Sequence, residues 1–385
     1  MKNRMNLLKN KNFLRATAAL VGTMVGVGIF GIPFAFSKAG FWTGFLFLIL
    51  IAAITLLADL MYGEVVLRTR AKHQLVGYTQ FYLGPFFKKA LFFTAALSTY
   101  SALLAYIIIS GDFMNNVFSW VFYVSPESYS IIFFVVLSLL ILRGLKTVSW
   151  AELLLTALFF AVVLGIFFLS LDKLNFSNFK GGALEFWFLP YGILLFAFAG
   201  LPAVPLQREI LGSGSERLFK KSIFAAVILA AALYFVFAFT VLGISGDTTT
   251  PDAISGLFGP LGGAIVFLGS VFGLLAVSTS YLMLGTAFTE IFHLDFKLSK
   301  TASWFLTVLP PFVLFLGGMR TFIDVVSLAG SVGIGLEGAI LVFLFMKAKS
   351  KGDREPEYSL RVPKWLLFGL IGMFIAGSVY AIFIK

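Results

Sequence analysis

Long apolar stretches, separated by short segments that carry most of the charged residues, repeat along the whole chain. A helix needs about 20 apolar residues to cross the roughly 30 Å hydrocarbon core of a bilayer. Eleven stretches reach or approach that length, and they are predicted at 13–37, 41–67, 88–117, 129–143, 148–170, 187–212, 218–244, 262–291, 301–316, 321–347 and 363–384. The pattern predicts an all-α membrane protein with eleven transmembrane helices.

The first and sixth stretches contain the same kind of interruption. Glycine recurs between Gly22 and Pro33 in the first, and the sixth contains a glycine and a proline in the segment 196–202. Both residue types weaken helices, and hydrocarbon offers no water to backbone groups freed from a helix. A matched pair of interrupted helices in the two halves of a chain is typical of the central binding site of a secondary transporter.

The two interruptions divide the chain into two sets of five helices. Because five is an odd number, the second set enters the membrane from the opposite side, and the segments 13–170 and 187–347 are predicted to form an inverted repeat. A cytoplasmic N-terminus (1–12), a cytoplasmic loop (348–362) and an eleventh helix (363–385) complete the expected organisation.

Composition supports a membrane protein and excludes several function classes. Apolar residues make up 59% of the chain and charged residues 12%, with a mean hydropathy of +0.98, which is more than a soluble core can bury. The net charge of +11 lies in short loops and indicates topology, so no nucleic-acid partner is expected. With the N-terminus inside, cytoplasmic segments hold 24 of the 29 lysines and arginines. We expect a multi-pass protein of the plasma (inner) membrane with a cytoplasmic N-terminus and an extracytoplasmic C-terminus.

Three segments between the apolar stretches have distinct patterns. Aromatic and polar residues mix in 74–87, which predicts a short helix in the cytoplasmic interface. Thr250 followed by Pro251 predicts a helix N-cap and a small outside helix over 251–259. The charged segment 347–364 lacks an apolar face and is expected to be mobile.

The two interruptions offer groups that suit an amino acid. Freed N–H groups attract a carboxylate, and freed carbonyl groups attract an ammonium group or a metal cation. The residues expected to line the pocket around the breaks are Thr23, Met24, Val27, Gly28, Phe196, Phe198, Ala199 and Gly200. We expect no carboxylate or lysine near either break, which favours a neutral apolar or aromatic amino acid.

Adjacent hydroxyl groups halfway along the eighth stretch have two interpretations. Each can bond to a carbonyl group one turn earlier in its own helix. Alternatively, the hydroxyls of Thr279 and Ser280 and the carbonyl of Ala276 face the carbonyls of Gly22 and Val25 and bind Na⁺. Five neutral oxygen atoms suit a hard monovalent cation.

Glu337 and Asp59 are acidic residues inside apolar stretches, where ionisable side chains are costly and mark functional sites. Glu337, near the middle of the tenth stretch, is a possible proton site or a hydrogen-bonded structural acid. Asp59 is expected to pair with a basic residue at the cytoplasmic end of the second stretch. Both histidines, His73 and His293, fall in predicted inside loops, so no histidine relay is expected at the membrane midplane.

Several segments carry a family resemblance: GIFGIPFA at 28–35, AYIIISGD at 105–112 and FAFAGLPAVP at 196–205. With the segment 25–28, the hydroxyl set of the eighth stretch and the five-plus-five layout, they resemble the amino acid–polyamine–organocation superfamily, which has the LeuT-type fold. Within it, the chain is most similar to the amino acid/auxin permeases and the bacterial tyrosine/tryptophan permeases. The resemblance covers nearly the whole chain and implies ion-driven uptake of an amino acid by alternating access.

The resemblance also bears on single residues. It suggests that Tyr106 donates its hydroxyl to the substrate carboxylate, although a tyrosine bonded to a neighbouring helix fits equally. Leu201 stands where members often carry histidine, so any role of that histidine is absent here. In proton-coupled relatives a lysine in the fifth stretch takes the place of the ion. This chain has no lysine in that stretch after Lys146, which favours Na⁺ over a proton carried by Glu337.

The expected function is that of a symporter that imports a neutral, hydrophobic or aromatic amino acid with Na⁺ or H⁺. No nucleotide loop, zinc cluster or catalytic triad occurs in the sequence, so we expect neither an enzyme nor a cofactor. A receptor that binds an amino acid without moving it, like the membrane subunits of spore germinant receptors, is the alternative. The sequence determines neither the particular amino acid nor the oligomeric state.

Overall fold

The computed structural model describes residues 2–143, 149–212 and 218–383, which form helices joined by turns. The α-helices are α1 (Lys2–Met24), α2 (Gly28–Ala39), α3 (Phe41–Leu67), α4 (Leu75–Leu83), α5 (Pro85–Phe118), α6 (Pro126–Arg143), α7 (Ser149–Leu169), α8 (Leu189–Ala197), α9 (Ala203–Leu211), α10 (Phe219–Ser245), α11 (Phe258–Leu261), α12 (Gly263–Glu290), α13 (Lys300–Leu316), α14 (Phe322–Leu328), α15 (Gly335–Lys351) and α16 (Lys364–Phe383). A π-helical turn, Ala329–Ile334, joins α14 to α15. The described residues confirm the predicted all-α class.

Seven helices in the described part of the chain are long and apolar enough to cross a membrane. They are α3, α5, α6, α10, α12, the continuous run from α14 to α15, and α16. The bent pair of α1 and α2 makes an eighth, and shorter apolar helices lie at Ala157–Leu169, Leu184–Ala197 and Lys300–Leu316. Each lies in one of the eleven predicted stretches, and the exact number of crossings stays a prediction.

Both predicted interruptions are breaks between helices. The axis bends by 57° between α1 and α2, and the N–H of Gly26 donates to the carbonyl of Met24 at 2.9 Å instead of to the residue four positions earlier. In the sixth stretch, residues 198–202 separate α8 from α9. The breaks are narrower than the sequence suggested, because Pro33 lies inside α2 and Phe196 is still helical.

The four half-helices pack crosswise, with α1 against α9 and α2 against α8. A Cβ atom on Gly28 would lie 2.7 Å from the Cα of Ala197, and one on Gly200 would lie 2.6 Å from the Cε of Met24. At Gly28 only glycine allows the two backbones to approach this closely, whereas at Gly200 the neighbour is the end of the flexible Met24 side chain. The two breaks therefore touch each other directly.

The backbone is helical from Lys2 onward, so the segment predicted as the cytoplasmic N-terminus (1–12) is continuous with α1, and its location in the cytoplasm stays a prediction. One boundary prediction needs correction. The helix predicted over 251–259 is wrong at its start, because a helical turn begins only at Ser255 and continues into α11. The reason is that the Asp252 carboxylate accepts from the backbone N–H and the hydroxyl of Ser255, at 3.0 and 2.6 Å, and caps the helix there. The interfacial segment 74–87 does contain the expected short helix, α4.

The segment 352–363, which we call the strap, packs against the end of α3 and is not the mobile loop that its charge suggested. The Glu64 carboxylate is fully buried and accepts from Arg68 Nε (2.8 Å), Ser359 Oγ (3.0 Å) and the backbone N–H of Leu360 (2.5 Å). Buried polar groups are almost always satisfied, and bonds to a charged acceptor are the stronger ones. The strap has no apolar face in its sequence, so nothing in the sequence indicated that it supplies hydrogen-bond donors to the buried Glu64.

Tyr358 anchors the strap at a second point. Its hydroxyl donates to the carbonyl of Leu60 at 2.8 Å, and a Cβ atom on Gly63 would lie 2.2 Å from the hydroxyl oxygen. Burial raises the pKa of Tyr358 well above its usual value, and the negative charge of Glu64 raises it further. The hydroxyl therefore keeps its proton and remains a donor.

We predict that Gly330→Ala destabilises the protein while Gly369→Ala does not. A Cβ atom on Gly330 would lie 1.8 Å from the carbonyl oxygen of Gly192 where α8 crosses the π-helical turn, whereas Gly369 faces open space. Overpacking of this kind costs about 1–3 kcal/mol. Thermal unfolding in detergent measures the difference, and equal Tm values for the two variants would contradict the crossing.

Candidate substrate cavity

A cavity of about 480 Å³ adjoins both breaks. Small-molecule sites are typically about 300–1,000 Å³ and mostly apolar. Its walls come from α1, α3, α5, α8, α9, α12, α15, α16 and the break residues themselves. All nine predicted substrate-binding residues border it, namely Thr23, Met24, Val27, Gly28, Tyr106, Phe196, Phe198, Ala199 and Gly200.

The cavity extends from the breaks into one half of the helix bundle. On α1 it is bordered by positions from Ala19 to Met24, whereas Gly28 is its one described wall residue on α2. On α12 it is bordered by positions from Ser280 to Ala287, in the second part of that helix. The cavity therefore lies on the side of the N-terminal helix α1.

The position of Tyr106 is compatible with both roles suggested from the sequence, a donor to the substrate carboxylate and a hydroxyl bonded to a neighbouring helix. It borders the cavity beside the Ser280 hydroxyl of α12, and only 8% of its surface is exposed. The Phe198 ring packs edge-to-face on Tyr234, with centroids 5.0 Å apart. The Phe198 ring thus gives an apolar surface at the level of the breaks, in the same cavity as the hydroxyls of Tyr106 and Ser280.

The five predicted Na⁺ ligands do not all lie on this cavity. Gly22 and Ser280 border it, whereas Val25, Ala276 and Thr279 are not among its described wall residues. The Thr279 hydroxyl donates to the carbonyl of Ala276 at 3.0 Å, the local bonding that the sequence left as an alternative. The Na⁺ site stays a prediction.

Glu337 lies on the cavity wall and has a hydrogen-bond partner. The Ser98 hydroxyl of α5 lies 2.8 Å from its Oε1 and 3.0 Å from the carbonyl oxygen of Thr94, and its one proton can be donated to either. Glu337 follows the π-helical turn, in which a Cβ atom on Gly333 would lie 2.2 Å from Ser98 Oγ. Single π-helical turns are frequent at functional sites, and this one brings α15 against α5.

Asp59 also borders the cavity, and its predicted partner is wrong. The side chain is fully buried, and neither carboxyl oxygen has a hydrogen-bond or ion-pair partner among the described residues. The basic residue near that end of α3, Arg68, bonds to Glu64 instead. The expectation that no carboxylate lies near the breaks is therefore also wrong, since the cavity that adjoins them includes Asp59 and Glu337.

One residue that the sequence reasoning missed joins the two breaks. The Tyr234 hydroxyl of α10 lies 2.8 Å from the carbonyl oxygen of Met24 and 2.6 Å from that of Ala197. These are the last residues of α1 and α8, where carbonyl groups lack helical partners. Tyr234 has no exposed surface, so no solvent competes for those carbonyls.

The model of the tryptophan/tyrosine permease family matches residues 9–380. The chain belongs to this family. Its structure is similar to the crystal structure of MhsT in complex with L-phenylalanine, with a TM-score of 0.67, 15% sequence identity and coverage of 96% of this chain and 97% of that chain. No curated protein matches the sequence. The permease is a multi-pass membrane protein with the LeuT-type fold and is an amino acid transporter, not an enzyme.

The sequence of the permease did contain a signal for Tyr234. Tyrosine in transmembrane helices usually lies at the membrane interface. Tyr234 lies near the middle of the stretch 218–244, as Tyr106 does in its own stretch. Ser98 carried no such signal, because one hydroxyl in an apolar helix usually bonds within that helix.

We predict that Tyr234→Phe weakens substrate binding by the permease roughly tenfold, since a lost donor to buried carbonyls costs about 1–3 kcal/mol. The ring and its packing on Phe198 remain. Equilibrium binding of labelled tryptophan or tyrosine to detergent-solubilised protein measures the effect. Tyr123→Phe, at a side chain that is 92% exposed, is the matched control. An unchanged affinity for Tyr234→Phe would show that the bridge does not hold the binding conformation.

Proposed function

We propose that this permease is a secondary active symporter that imports a neutral aromatic or hydrophobic amino acid by alternating access. The observation that carries the proposal is the direct contact of two broken helices at a cavity with apolar walls. The structure of MhsT was solved with L-phenylalanine, an aromatic amino acid. Backbone groups at the breaks suit the two charged ends of a zwitterion, and neither requires a charged side chain.

Different groups in the cavity wall suit the different parts of an amino acid. The N-terminal ends of α2 and α9 favour the substrate carboxylate, with Tyr106 as a further donor. The carbonyl ends of α1 and α8 favour the ammonium group. The side chains of Met24, Phe196 and Phe198 suit an aromatic ring.

The distribution of cations supports an orientation in the plasma (inner) membrane with the N-terminus in the cytoplasm. In that orientation the cavity faces the cytoplasm, because it lies on the side of α1 and the strap. The described conformation then corresponds to the stage at which substrate leaves the transporter.

We propose a proton as the coupling ion. Three of the five predicted Na⁺ ligands, Val25, Ala276 and Thr279, are not among the described wall residues of the cavity. By contrast, two carboxyl groups border the cavity. Carboxyl groups inside membrane proteins are typical proton carriers.

We expect purified permease in proteoliposomes to accumulate labelled tryptophan, tyrosine or phenylalanine under an inward proton gradient without Na⁺. The proton gradient supplies the free energy, so a protonophore should abolish accumulation while leaving exchange of labelled for unlabelled substrate intact. A panel of aromatic, aliphatic and charged amino acids in counterflow defines the substrate class.

Three results would contradict parts of this proposal. Binding without accumulation under any gradient would indicate a receptor. Accumulation that requires Na⁺ and is lost in Thr279→Ala would support the Na⁺ site of Gly22, Val25, Ala276, Thr279 and Ser280 instead of a proton. Preference for a charged amino acid in counterflow would reject the substrate class.

A further inference from the structure

We infer that Asp59 is the residue that binds the coupling proton, an inference that rests on the proposed symport. Asp59 lies on α3, borders the substrate cavity and has no exposed surface. Neither carboxyl oxygen has a partner among the described residues. An isolated buried carboxylate costs several kcal/mol in desolvation, so the group is stable here only with a proton bound.

Glu64, on the same helix, shows what an ionised acid requires at this depth. Both side chains have 0% exposure. Glu64 accepts from a guanidinium group, a hydroxyl and a backbone N–H, whereas Asp59 accepts from none. The strap that completes the partners of Glu64 reaches the end of α3 but brings only a phenol toward Asp59, that of Tyr358. The two acids therefore differ in their partners and not in their burial.

The groups around Asp59 leave it without a counter-ion. The titratable groups on α3, on the helices packed against it and on the strap are Lys38, Tyr62, Glu64, Tyr191, Arg208, Glu209, Lys220, Lys221, Tyr234, Glu337, Lys347, Lys349, Lys351, Asp353, Arg354, Glu355, Glu357, Tyr358 and Arg361. None of the cations among them bonds to Asp59, and Arg208 donates to the carbonyls of Val66 and Thr69 instead. Protonation is the remaining way for Asp59 to avoid an unpaired buried charge.

Glu337 is less suited to hold the proton in this conformation. It is partly exposed to the cavity and can accept from Ser98, so ionisation there costs less. Glu337 on α15 and Asp59 on α3 border the same cavity, and these two helices pack against each other.

This arrangement links proton binding to the conformational change. Asp59 takes a proton from extracellular water when it is accessible from that side. It holds the proton in the described conformation, in which it has no exposed surface, and releases it to the cytoplasm once the cavity opens far enough for water to reach the carboxyl group. No covalent bond of the substrate changes. A carboxyl group that lacks donors in one conformation and gains water in another binds its proton with different affinity in the two, which is what coupling requires.

The test compares Asp59→Asn with the parent and with Asp172→Asn, an exposed acid in a loop. Asparagine keeps the shape of the side chain but cannot exchange a proton. With the membrane potential clamped at zero, one proton per substrate allows about tenfold accumulation for each unit of pH gradient. We expect the parent and Asp172→Asn to approach that ratio. Asp59→Asn should reach only the outside concentration while retaining counterflow exchange.

Each other outcome has a definite meaning. Proton-driven accumulation by Asp59→Asn at the parental level overturns the inference, and so does loss of counterflow in a folded Asp59→Asn protein, which would make Asp59 a positioning residue. Loss of only a Na⁺-driven component would assign Asp59 to a metal cation and overturn the inference as well. If the parent accumulates no amino acid, the proposed function itself is rejected. Accumulation by the parent is therefore measured before any variant is tested.

A second variant keeps the inference testable when Asp59→Asn does not fold. Asp59→Glu retains an ionisable group but moves it by one methylene group within the same buried surroundings. Proton-driven accumulation with a pH midpoint shifted from that of the parent supports Asp59 as the proton site. An unshifted midpoint overturns the inference, because the titrating group then lies elsewhere.

Discussion

The architecture depends on satisfying backbone groups where helices end inside hydrocarbon. A helix that stops there leaves carbonyl or N–H groups without partners, and lipid supplies none. The permease solves this with protein: α1 and α8 end against one buried phenol, that of Tyr234, and the breaks press together where glycine permits. The remaining dipoles face a cavity. The constraint that makes broken helices rare thus also makes them useful, because the groups left over can bind a zwitterion.

The cavity has two chemically distinct regions. Around the breaks, Met24, Phe196 and Phe198 form apolar walls next to backbone dipoles and the Tyr106 hydroxyl. On the side of α3 and α15, Asp59 and Glu337 form a face with two carboxyl groups. A neutral amino acid suits the first region and a proton the second. Their proximity in one cavity allows a single conformational change to expose or close both.

Three acids inside or at the end of apolar helices show that partners, more than depth, decide the state of a buried carboxyl group. Glu64 has three donors and serves to hold the strap. Glu337 has one available donor and access to the cavity. Asp59 has no partner among the described residues. The sequence marks Asp59 and Glu337 as costly in a membrane, but only the packing distinguishes a structural acid such as Glu64 from a proton carrier.

The local residue pattern was enough to predict the helices, both breaks and the residues around them. Apolar length specified the helices, and glycine and proline located both breaks, because these depend on backbone propensity and hydrocarbon thickness. Every predicted pocket residue borders the cavity: eight of the nine lie at or beside a break, and Tyr106 lies on α5. Three features depend on helices distant in sequence: the lack of a partner for Asp59 among the described residues, the strap over Glu64 and the bridging role of Tyr234. They could be recognised only in the folded molecule, because a hydrogen bond forms between two surfaces and the residue pattern of one helix describes only one of them.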